Sequence, residues 1–599
     1  MCGIAGYSGG FDPALLLAMS TAIAHRGPDA DGLFTDSGAG IGLAHRRLAI
    51  IDLSEAGHQP MHDANERAVI VYNGELYNFR ELRDDLVADG FSFRSRTDTE
   101  VLLNLYLRDG PDMLARLNGI FAFAIWDIAD RRLFLARDQL GVKPLYLAST
   151  PRGVVFASEI KSLLHEPSVS RAIDPAAVAR HLSLLWSPAP RTILAGVEKL
   201  EPGAAVIVAD GRIERRWRYY DLPFGTVAKP DVSVESAVAG VRQHLDRAVE
   251  RQMVADVPVG AFLSGGLDSS AVVASARAHT PERLKCFTIA FEDKGAVADE
   301  GMAEDLPYAE RVASHLDVDL ERITVGPDMI DHLEEMIFHL DEPQADPAPL
   351  NAWFISKLAR DNGIKVLLSG AGGDDIFTGY RRHYALDQER IWAWLPGTAR
   401  AAIASGAKAL PPTSVVMRRL RKGFSHAGLS ADDRLAHYFS WLDPATAVGL
   451  LHPDFRGGLQ GSDVLSPLHA AIADLPGGAS RLDRMLALEC RYFLADHNLN
   501  YTDRMSMAHG VEVRVPLLDP ELVDYAARLP DSLRQRGRAG KWIFKKAMEG
   551  ILPDDVIYRP KTGFGAPLRR WLRHELRPLV GDLLGADAIR RRGIFDPDA

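Results

Sequence analysis

Cysteine is scarce in this chain of 599 residues: Cys2, Cys286 and Cys490 are widely spaced and odd in number. Such a set provides neither a disulfide framework nor the paired spacing of a cysteine metal site, and it fits a reducing compartment. Basic residues are outnumbered as well, and the formal net charge is −11 at pH 7. This balance argues against a general attraction to polyanions. We therefore expect a cytoplasmic protein with no nucleic-acid partner and no membrane partner.

Long apolar runs are also missing. The stretch 14–24 is apolar, but Asp12 precedes it, no Lys or Arg appears before Arg26, and it is far too short to span a bilayer. We interpret it as a buried helix. Hydrophobic residues at 47% and charged residues at 25% provide for both a core and a hydrated surface, and the length allows more than one domain.

Two patterns of residues divide the chain. Up to about residue 210, short β-rich runs are separated by Gly, Asp and Asn turns, which predicts packed antiparallel sheets. The clearest runs are 69–72, 121–126, 133–136, 154–157 and 206–208. Pro223, Gly225 and Pro230 then indicate a linker. We predict a first domain at 1–214, a linker at 215–231 and a second domain at 232–599.

The second part has the pattern of a doubly wound parallel sheet. Between residues 234 and 249, apolar residues recur at spacings of three and four, as on one face of a helix. An apolar strand at 257–263, a Gly-rich turn and a second helical run at 270–278 follow, and further strands lie at 286–291 and 366–368. This order of elements predicts an α/β fold with parallel strands, beside the α+β texture of the first part.

Cys2 is a candidate nucleophile because of its position. Removal of Met1 would give it a free α-amine, whose ordinary pKa of about 7.7–8 suits it to accept the thiol proton. An ordinary penultimate cysteine is the alternative. Asn73 and Gly74 follow a predicted strand, and a side-chain amide together with a main-chain N–H can form an oxyanion hole.

Charged residues nearby in the sequence suit the two charged groups of a glutamine substrate. Arg47 offers a guanidinium group for an α-carboxylate. Glu75 and Asp98 can receive an α-ammonium group.

The first 200 residues or so resemble the class II glutamine amidotransferases. The resemblance rests on Cys2-Gly3-Ile4, Arg26-Gly27-Pro28-Asp29, residues 45–50, Asn73-Gly74-Glu75, Thr97-Asp98-Thr99-Glu100, Arg137-Asp138 and residues 141–146. It implies an N-terminal-nucleophile sandwich of two antiparallel sheets flanked by helices. It also implies that Cys2 attacks the glutamine amide, releases ammonia and leaves a thioester for water to cleave. With Met1 retained, the free amine is missing and we expect this half to be inactive.

Residues 264–270 read SGGLDSS, between a predicted strand and a predicted helix. Glycines allow the main chain close to phosphate oxygens and a helix N-terminus adds N–H donors, although helix capping alone is the alternative. Asp268 is placed to hold magnesium, which prefers carboxylate oxygens. The chain has no Walker A loop, and Gly38, Gly40 and Gly42 lack the dinucleotide spacing. The string resembles the pyrophosphate loop of ATP pyrophosphatases, which transfer AMP to an oxygen and release pyrophosphate.

The whole chain resembles the glutamine-hydrolysing asparagine synthetases, whose second domain is of the ATP-pyrophosphatase type. The additional motifs are Asp341-Glu342-Pro343, Ala345-Asp346-Pro347, Ser369-Gly370, Gly540-Lys541-Trp542 and residues 503–508, 512–519 and 559–564. The resemblance implies that ATP is a substrate bound by Phe262, Ser264, Gly265, Gly266, Asp268, Ser269, Ile289, Ser369 and Gly370. It further implies that Asp268 and Asp374 hold Mg²⁺ and that Lys541 stabilises charge on the adenylate. For Asp503 and Arg504, a structural ion pair and a substrate role both stay open.

The loop at 369–375 departs from the family pattern. Asparagine synthetases characteristically carry Glu at the position of Ala371 and often at that of Asp375. If that carboxylate serves the acceptor or the incoming ammonia, this chain lacks it, and Glu342, Asp374 and Asp375 are the candidates to replace it.

The resemblance implies amidation of a carboxylate through an acyl-adenylate, with aspartate as the first acceptor and glutamine and ATP as the other substrates. A different carboxylate, such as a sugar uronate in polysaccharide synthesis, is the alternative acceptor. A glutaminase with a non-catalytic ATP domain and a catalytically silent interaction protein are the remaining hypotheses. Relatives often form homodimers, and the sequence itself leaves the number of subunits open. Relatives also continue with further helices where this sequence stops at Ala599, so a natural and a truncated end both stay open.

Overall fold

The computed structural model describes residues 2–292, 304–411, 415–561 and 565–599. Met1 and residues 562–564 of the predicted 559–564 motif lie outside the described residues. The strands are, in chain order, β1 (Cys2–Gly9), β2 (Ala30–Asp36), β3 (Ile41–Arg47), β4 (Met61–His62), β5 (Ala68–Leu76), β6 (Gly119–Asp127), β7 (Arg132–Arg137), β8 (Tyr146–Thr150), β9 (Gly153–Ala157), β10 (Glu198–Lys199), β11 (Ala204–Ala209), β12 (Arg212–Arg218), β13 (Val259–Phe262), β14 (Lys285–Phe291), β15 (Asp319–Val325), β16 (Val366–Leu368) and β17 (Glu512–Arg514).

The first twelve strands form two antiparallel six-stranded sheets. Their orders are β10-β8-β9-β1-β3-β2 and β12-β11-β7-β6-β5-β4. Helices in this part are Ala14–Ala22, Phe79–Ala88, Asp98–Asp109, Ile160–Leu163 and Pro175–Leu184. The two sheets pack face to face, and helices cover their outer faces. The predicted sandwich with flanking helices is confirmed.

Side chains along the central strands point alternately to the two faces of the sheet, and this explains why the apolar runs of this half are continuous. On β5, Val69 and Val71 face the other sheet, while Ile70 and Tyr72 face the helices. Because successive side chains point to opposite faces of a sheet, a strand that is covered on both faces needs apolar residues at every position. The runs predicted as strands at 69–72 and 121–126 are therefore buried throughout.

The remaining strands form one parallel sheet in the order β15-β14-β13-β16-β17. The chain runs outward from β13 in one direction through β14 and β15, and then returns to the other side of β13 with β16 and β17. The point where the strand order reverses lies between β13 and β16. In doubly wound sheets, ligands bind outside the carboxyl ends of the strands at this point. The predicted doubly wound fold is confirmed.

Helices surround this sheet and extend beyond it. Their bounds are Val234–Gln252, Leu267–Ala278, Leu306–Leu316, Leu333–Leu340, Ala348–Asp361, Gly373–Phe377, Arg381–Gln388, Gly397–Ala409, Val415–Phe424, Ala431–His437, Pro444–Gly449, Pro453–Arg456, Gly461–Val464, Ser466–Asp474, Arg481–Leu488, Leu499–Met507, Pro520–Arg528, Asp531–Arg534, Trp542–Met548, Asp554–Ile557, Leu568–Arg573, Arg577–Leu584 and Ala586–Arg592, with a π-helix at Glu489–Asn498. In the described parts of the chain, none of the helices combines the length and the apolar character that a membrane span requires.

The second sheet continues past residue 214, where the sequence predicts that the first domain ends. Strand β12 continues to Arg218 and pairs along this length with β11, so the second sheet extends into the segment predicted as linker. The arginine-rich sequence of β12 hid the strand, because an edge strand that faces water on one side does not need a continuous apolar run. The domain boundaries themselves stay predictions.

Candidate active sites

Cys2 begins β1 and lies opposite Arg47 of β3 in the antiparallel register. Its main-chain N–H donates to Asn73 Oδ1 across the two sheets at 3.0 Å. Asn73 is fully buried, and its Nδ2 has no hydrogen-bond partner among the described residues. A buried donor without an acceptor costs free energy of folding. The unpaired Nδ2 beside a buried thiol therefore points to a donor that bonds a reacting group. The sequence-predicted pair of Cys2 and Asn73 is therefore brought into direct contact.

Gly74 has a packing reason to be glycine. A Cβ at this position would lie 2.2 Å from the carbonyl oxygen of Ile120 on the neighbouring strand β6. The close approach of β5 and β6 thus excludes any side chain here. Gly74 directly follows Asn73 on the same strand, and its main-chain N–H is the second oxyanion donor that the sequence predicted.

Burial controls the titration of the first site. It raises the pKa of the Cys2 thiol, although a main-chain hydrogen bond from Leu48 and the charge of Arg47 oppose the rise. It also raises the pKa of Glu75 well above its ordinary value, with Glu512 and Asp98 adding to the effect. A buried thiol with a raised pKa needs a base before it can act as a nucleophile.

The predicted glutamine-binding residues surround Cys2 but are engaged with the protein. The Arg47 guanidinium donates to the carbonyl oxygen of Ser54 at 3.0 Å and also to that of Asp52. Asp98 Oδ2 accepts from Tyr72 Oη at 3.0 Å and from a main-chain N–H at 2.9 Å.

Glu75 faces the second half of the chain. Its Oε1 lies 3.7 Å from Arg514 Nη2, at the end of β17 in the parallel sheet. Arg514 also pairs with Glu512 of the same strand and donates to the carbonyl oxygens of Gln252 and Val254, each at 2.7 Å. The first site is thus supported by the second half of the chain, which the sequence motifs at 512–519 did not reveal.

The second site lies at the reversal of strand order in the parallel sheet. The loop after β13 carries Ser264 to Gly266 and leads into the helix Leu267–Ala278. Gly265 has a φ of +66°, and a Cβ there would lie 2.4 Å from the main-chain nitrogen of Ala309. Ser264 Oγ and Ser269 Oγ lie 3.0 Å apart and close the turn. The loop conformation thus requires the glycine that the sequence singled out.

The loop after β16 packs against this turn. A Cβ on Gly370 would lie 2.5 Å from the main-chain nitrogen of Ser269, so the two loops are in close contact. Phe262 ends β13, and Ile289 is a buried residue of the adjacent β14. The predicted ATP-binding residues therefore gather at one edge of the sheet.

Two aspartates and two lysines meet in front of these loops. Lys541 Nζ contacts Asp268 Oδ2 and lies 2.7 Å from Asp374 Oδ1, and Lys561 Nζ contacts Asp374 Oδ2. Burial raises the pKa of Asp268, whereas the lysines outweigh burial at Asp374 and lower its pKa. Burial by itself would lower the pKa of Lys541, but Asp268 and then Asp374 raise it. Lys541 is buried at the start of the helix Trp542–Met548 and is not a solvated surface lysine.

The acid pair fits a magnesium ion in its chemistry. Asp268 and Asp374 contact the same ammonium group, and Asp268 Oδ1 is buried with no hydrogen-bond partner among the described residues. Carboxylate oxygens are the ligands that Mg²⁺ prefers. Two carboxylates that already share one cation can share another.

The carboxylates that could replace a glutamate at Ala371 are all engaged elsewhere. Glu342 lies between the two halves, 3.1 Å from Lys199 Nζ. Asp374 pairs with the two lysines just described. Asp375 accepts from Tyr380 Oη at 3.2 Å, and burial, followed by Glu489, raises its pKa well above the ordinary value. Ala371 is half-buried beside them and offers only a methyl group.

A buried ionic cluster joins the two halves behind Cys2. Arg26 donates through Nε to the carbonyl oxygen of Cys2 at 3.2 Å, through Nη1 to Glu159 at 2.9 Å and through Nη2 to Asp503 at 2.8 Å. Arg504 Nη1 lies 3.0 Å from Glu159 Oε1. All of these side chains are buried. Of the two roles left open for Asp503 and Arg504, the contacts are those of structural ion pairs.

Lys561, Arg514 and Arg26 each stand within a recognised sequence motif, but the motif by itself indicates no role for them in a site. Each acts through a partner more than one hundred residues away: Asp374, Glu75 and Asp503 respectively. The motifs were the available signal, because a charged residue inside a recognised motif is a candidate for a buried ion pair.

Comparison with known proteins gives consistent matches to both halves. The asparagine synthase family model matches residues 240–599, and the glutamine amidotransferase domain model matches residues 1–220. "Asparagine synthetase [glutamine-hydrolyzing] 1" of Bacillus subtilis is 33% identical over 572 residues, which cover 95% of this chain and 86% of that protein. "Putative asparagine synthetase [glutamine-hydrolyzing]" of Mycobacterium tuberculosis is 34% identical over 584 residues, with 95% and 87% covered. "Amidase chyE" of Penicillium rubens is 29% identical over 616 residues, with 96% and 88% covered.

Proposed function

Since the chain belongs to the asparagine synthase family, with a glutamine amidotransferase domain ahead of the synthase domain, we propose that it transfers the amide nitrogen of glutamine to a carboxylate activated by ATP. Aspartate, which would give asparagine, is the first acceptor. The observation that carries this proposal is that each half holds a buried polar atom without a hydrogen-bond partner among the described residues. These atoms are Asn73 Nδ2 beside Cys2 and Asp268 Oδ1 beside the nucleotide loop.

In the first half, Cys2 supplies both nucleophile and base once Met1 is removed. The α-amine accepts the thiol proton, which the raised thiol pKa makes necessary. The thiolate attacks the amide carbon of glutamine, and the Asn73 side chain and the Gly74 N–H donate to the oxyanion. Ammonia leaves, and water cleaves the resulting thioester to give glutamate.

In the second half, the turn at 264–266 and the start of the helix Leu267–Ala278 bind the phosphates through main-chain N–H groups. The acceptor carboxylate attacks the α-phosphorus of ATP, and pyrophosphate leaves. Lys541 and Lys561 are the cations beside this site and stabilise the charge on the adenylate and the leaving group. Ammonia then attacks the acyl carbon, and AMP leaves.

Asp268 and Asp374 would hold Mg²⁺, which neutralises phosphate charge when bound. ATP and the ion together bring negative and positive charge into a group of two aspartates and two lysines whose charges already balance. We therefore expect Lys541 to exchange its contacts with the two aspartates for contacts with phosphate oxygens when ATP binds.

A second acceptor class is favoured by a specific observation. Ala371 leaves its position without a carboxylate, while Glu342 and Asp375 are held by Lys199 and Tyr380. A site without this negative charge has one ion-pair partner fewer for the α-ammonium group of aspartate. A carboxylate without an ammonium group, such as a sugar uronate, does not need it.

The test uses the purified protein with Mg-ATP, glutamine and either aspartate or glucuronate, assayed together for pyrophosphate, glutamate and amide product. Asparagine formed in step with AMP and pyrophosphate supports aspartate as acceptor. Glutamate without aspartate-dependent pyrophosphate contradicts it, and uronate-dependent pyrophosphate then supports the second class. Glutamate release without any pyrophosphate release, whichever carboxylate is added, would leave a glutaminase with a non-catalytic ATP domain.

The variant Ala371→Glu sharpens this assay. We expect it to raise aspartate-dependent pyrophosphate release relative to the release that other carboxylates support. An unchanged acceptor preference would count against a selective role for position 371. Ala371→Gln is the matched control, because it adds similar volume without the charge.

A further inference from the structure

A cluster of two histidines and an aspartate lies outside both active sites, in the helical part of the second half. His426, His437 and Asp443 each offer one ligand atom, and these atoms all lie within 4.8 Å of one another. The imidazole rings are tilted to each other with centroids 4.2 Å apart. Three separate segments of the chain thus bring nitrogen and oxygen donors to one point.

The main chain holds each donor in position. His426 lies in a turn closed by the hydrogen bonds from Ala427 N–H to Phe424 O at 3.0 Å and from Leu429 N–H to His426 O at 3.0 Å. His437 is the last residue of the helix Ala431–His437. This helix is tied down by Arg434, whose Nη2 donates to the buried Glu389 at 2.8 Å.

The free atoms of the cluster point to a cation. The Nδ1 of His437 lies 2.9 Å from the carbonyl oxygen of Asp433, and this contact requires Nδ1 to carry the proton. The lone pair is then on Nε2, which is the arrangement found in metal-ligating histidines. Asp443 Oδ1 caps the helix Pro444–Gly449 by accepting from Ala445 N–H at 3.0 Å and from Thr446 N–H at 3.4 Å. Its Oδ2 is left for another ligand.

We propose that His426, His437 and Asp443 bind a divalent transition cation, zinc first, at a structural site separate from the two active sites. Two imidazoles and a carboxylate suit zinc rather than the magnesium of the nucleotide site. Ligand atoms around tetrahedral zinc lie about 3.3 Å apart, given bond lengths of about 2.0–2.1 Å. The three ligand atoms already lie within 4.8 Å of one another, so an ion would draw them together only slightly. Three protein ligands leave one position for water.

The site connects the two halves of the chain. Directly before Asp443, Trp441 N–H donates to Ser183 O at 2.7 Å and Ser183 Oγ donates to Leu442 O at 2.7 Å. Ser183 belongs to the helix Pro175–Leu184 of the first half. A cation that joins Asp443 to the two histidines would fix this docking segment to the helices behind it, and binding to the folded state alone stabilises it.

The experiment uses the full-length chain with Cys2→Ala, so that the catalytic thiol provides no ligand, after treatment with a chelator. Cobalt(II) is titrated by its visible absorption, zinc by calorimetry, and the thermal midpoint is followed with zinc and with magnesium. We expect one equivalent of tightly bound cobalt and a midpoint that zinc raises and magnesium does not.

Variants decide whether this binding belongs to the cluster. His426→Gln and Asp443→Asn each remove one ligand, and Asn still caps the helix Pro444–Gly449. Loss of a metal's outer partner weakens affinity by about 10–100-fold, so loss of a ligand should exceed about 100-fold. His469→Gln is the control, because His469 lies on a neighbouring helix 3.2 Å from Asp433 and is not a member of the cluster. The proposal is overturned if the parent binds no cobalt, or if the two ligand variants bind it as tightly as the control.

Discussion

The two candidate active sites hold, in different ways, the groups that we propose to react. In the first, Cys2 and Asn73 are fixed by the register of paired strands and by one main-chain hydrogen bond between sheets. In the second, Asp268, Asp374 and Lys541 are fixed by each other through ion pairs. Strand register cannot change without moving a whole sheet, whereas side-chain ion pairs can exchange partners.

This difference matches what each of the two proposed reactions would demand. The amide of glutamine is neutral, and the donors for its oxyanion must be in place before charge develops. ATP carries charge into its site, so the site needs groups that can pass from one ionic partner to another. A buried ion pair is a weak source of stability because desolvation offsets its attraction. The second site therefore gives up little stability when its pairs are exchanged.

The largest expected effect separates the two sites completely. Cys2→Ala should lower glutamine-dependent amide formation by at least about 10⁴-fold, since it removes the nucleophile. Amide formation from added ammonium should stay close to that of the parent, because the second site keeps all of its groups. Lys541→Met should instead lower the rate by about 10²–10³-fold with either nitrogen source.

The measurement is the rate of pyrophosphate release with glutamine or ammonium as the nitrogen source, in parent and variants. If Cys2→Ala also lost the ammonium-dependent reaction, the two sites would not be separable. If Lys541→Met spared one nitrogen source, the lysine would act on ammonia supply rather than on the adenylate.

Much of the first site was predictable because local apolar runs and turn residues in the sequence indicate its strands. The apolar runs at 69–72 and 121–126 predicted strands of antiparallel sheets, and Asn73 and Gly74 follow the first of them directly. The contact of Glu75 with Arg514 was not predictable in this way. No period or turn signal relates two charged residues that are 439 positions apart in the sequence, and only the docking of the two halves brings them together.

The second site was predictable in its glycines and not in its charges. Gly265 must be glycine because its φ is positive and a neighbouring main chain is too close for a Cβ. Lys561 reaches Asp374 from a segment 187 positions away, and no local pattern in the sequence relates the two residues. The end of β12 was not predicted for a related reason, since its arginine-rich sequence does not resemble a core strand.

A smaller effect is expected from the oxyanion donor of the first site. Asn73→Ala should lower glutaminase turnover by about 10²–10³-fold, because one preorganised donor is lost. Asn73→Asp is the informative partner: it keeps an oxygen to accept from the Cys2 main chain and removes the N–H donor. We expect both variants to lose turnover to a similar extent in a glutamate-release assay. Full activity in Asn73→Asp would mean that the side chain only positions Cys2 through its oxygen.

The smallest expected effect concerns stability, and it rests on a neutral group of the first half. His45 on β3 lies 3.1 Å through Nε2 from the carbonyl oxygen of Tyr72 on β5, so it bridges the two sheets next to Asn73. Burial lowers the pKa of His45 to about 3. Its ordinary value is about 6.5, so the unfolded chain takes up a proton that the folded chain does not. Stability from this group is present above about pH 6.5 and is lost progressively as the pH falls toward 3.

At pH 5 this loss amounts to about 2 kcal/mol in the free energy of unfolding. His45→Gln keeps a donor for the Tyr72 carbonyl and removes the titration, so the gap between parent and variant should shift by about 2 kcal/mol in the variant's favour between about pH 7.5 and pH 5. Urea unfolding across this range measures the shift, and the exposed His58→Gln is the control. If the free energy of unfolding of parent and His45→Gln depended on pH in the same way, protonation of His45 would not be what destabilises the first half in acid. The pH dependence of folding would then come from the carboxylates of the second site and of the cluster between the halves, where Arg26 and Lys143 outweigh burial and lower the pKa of Asp503.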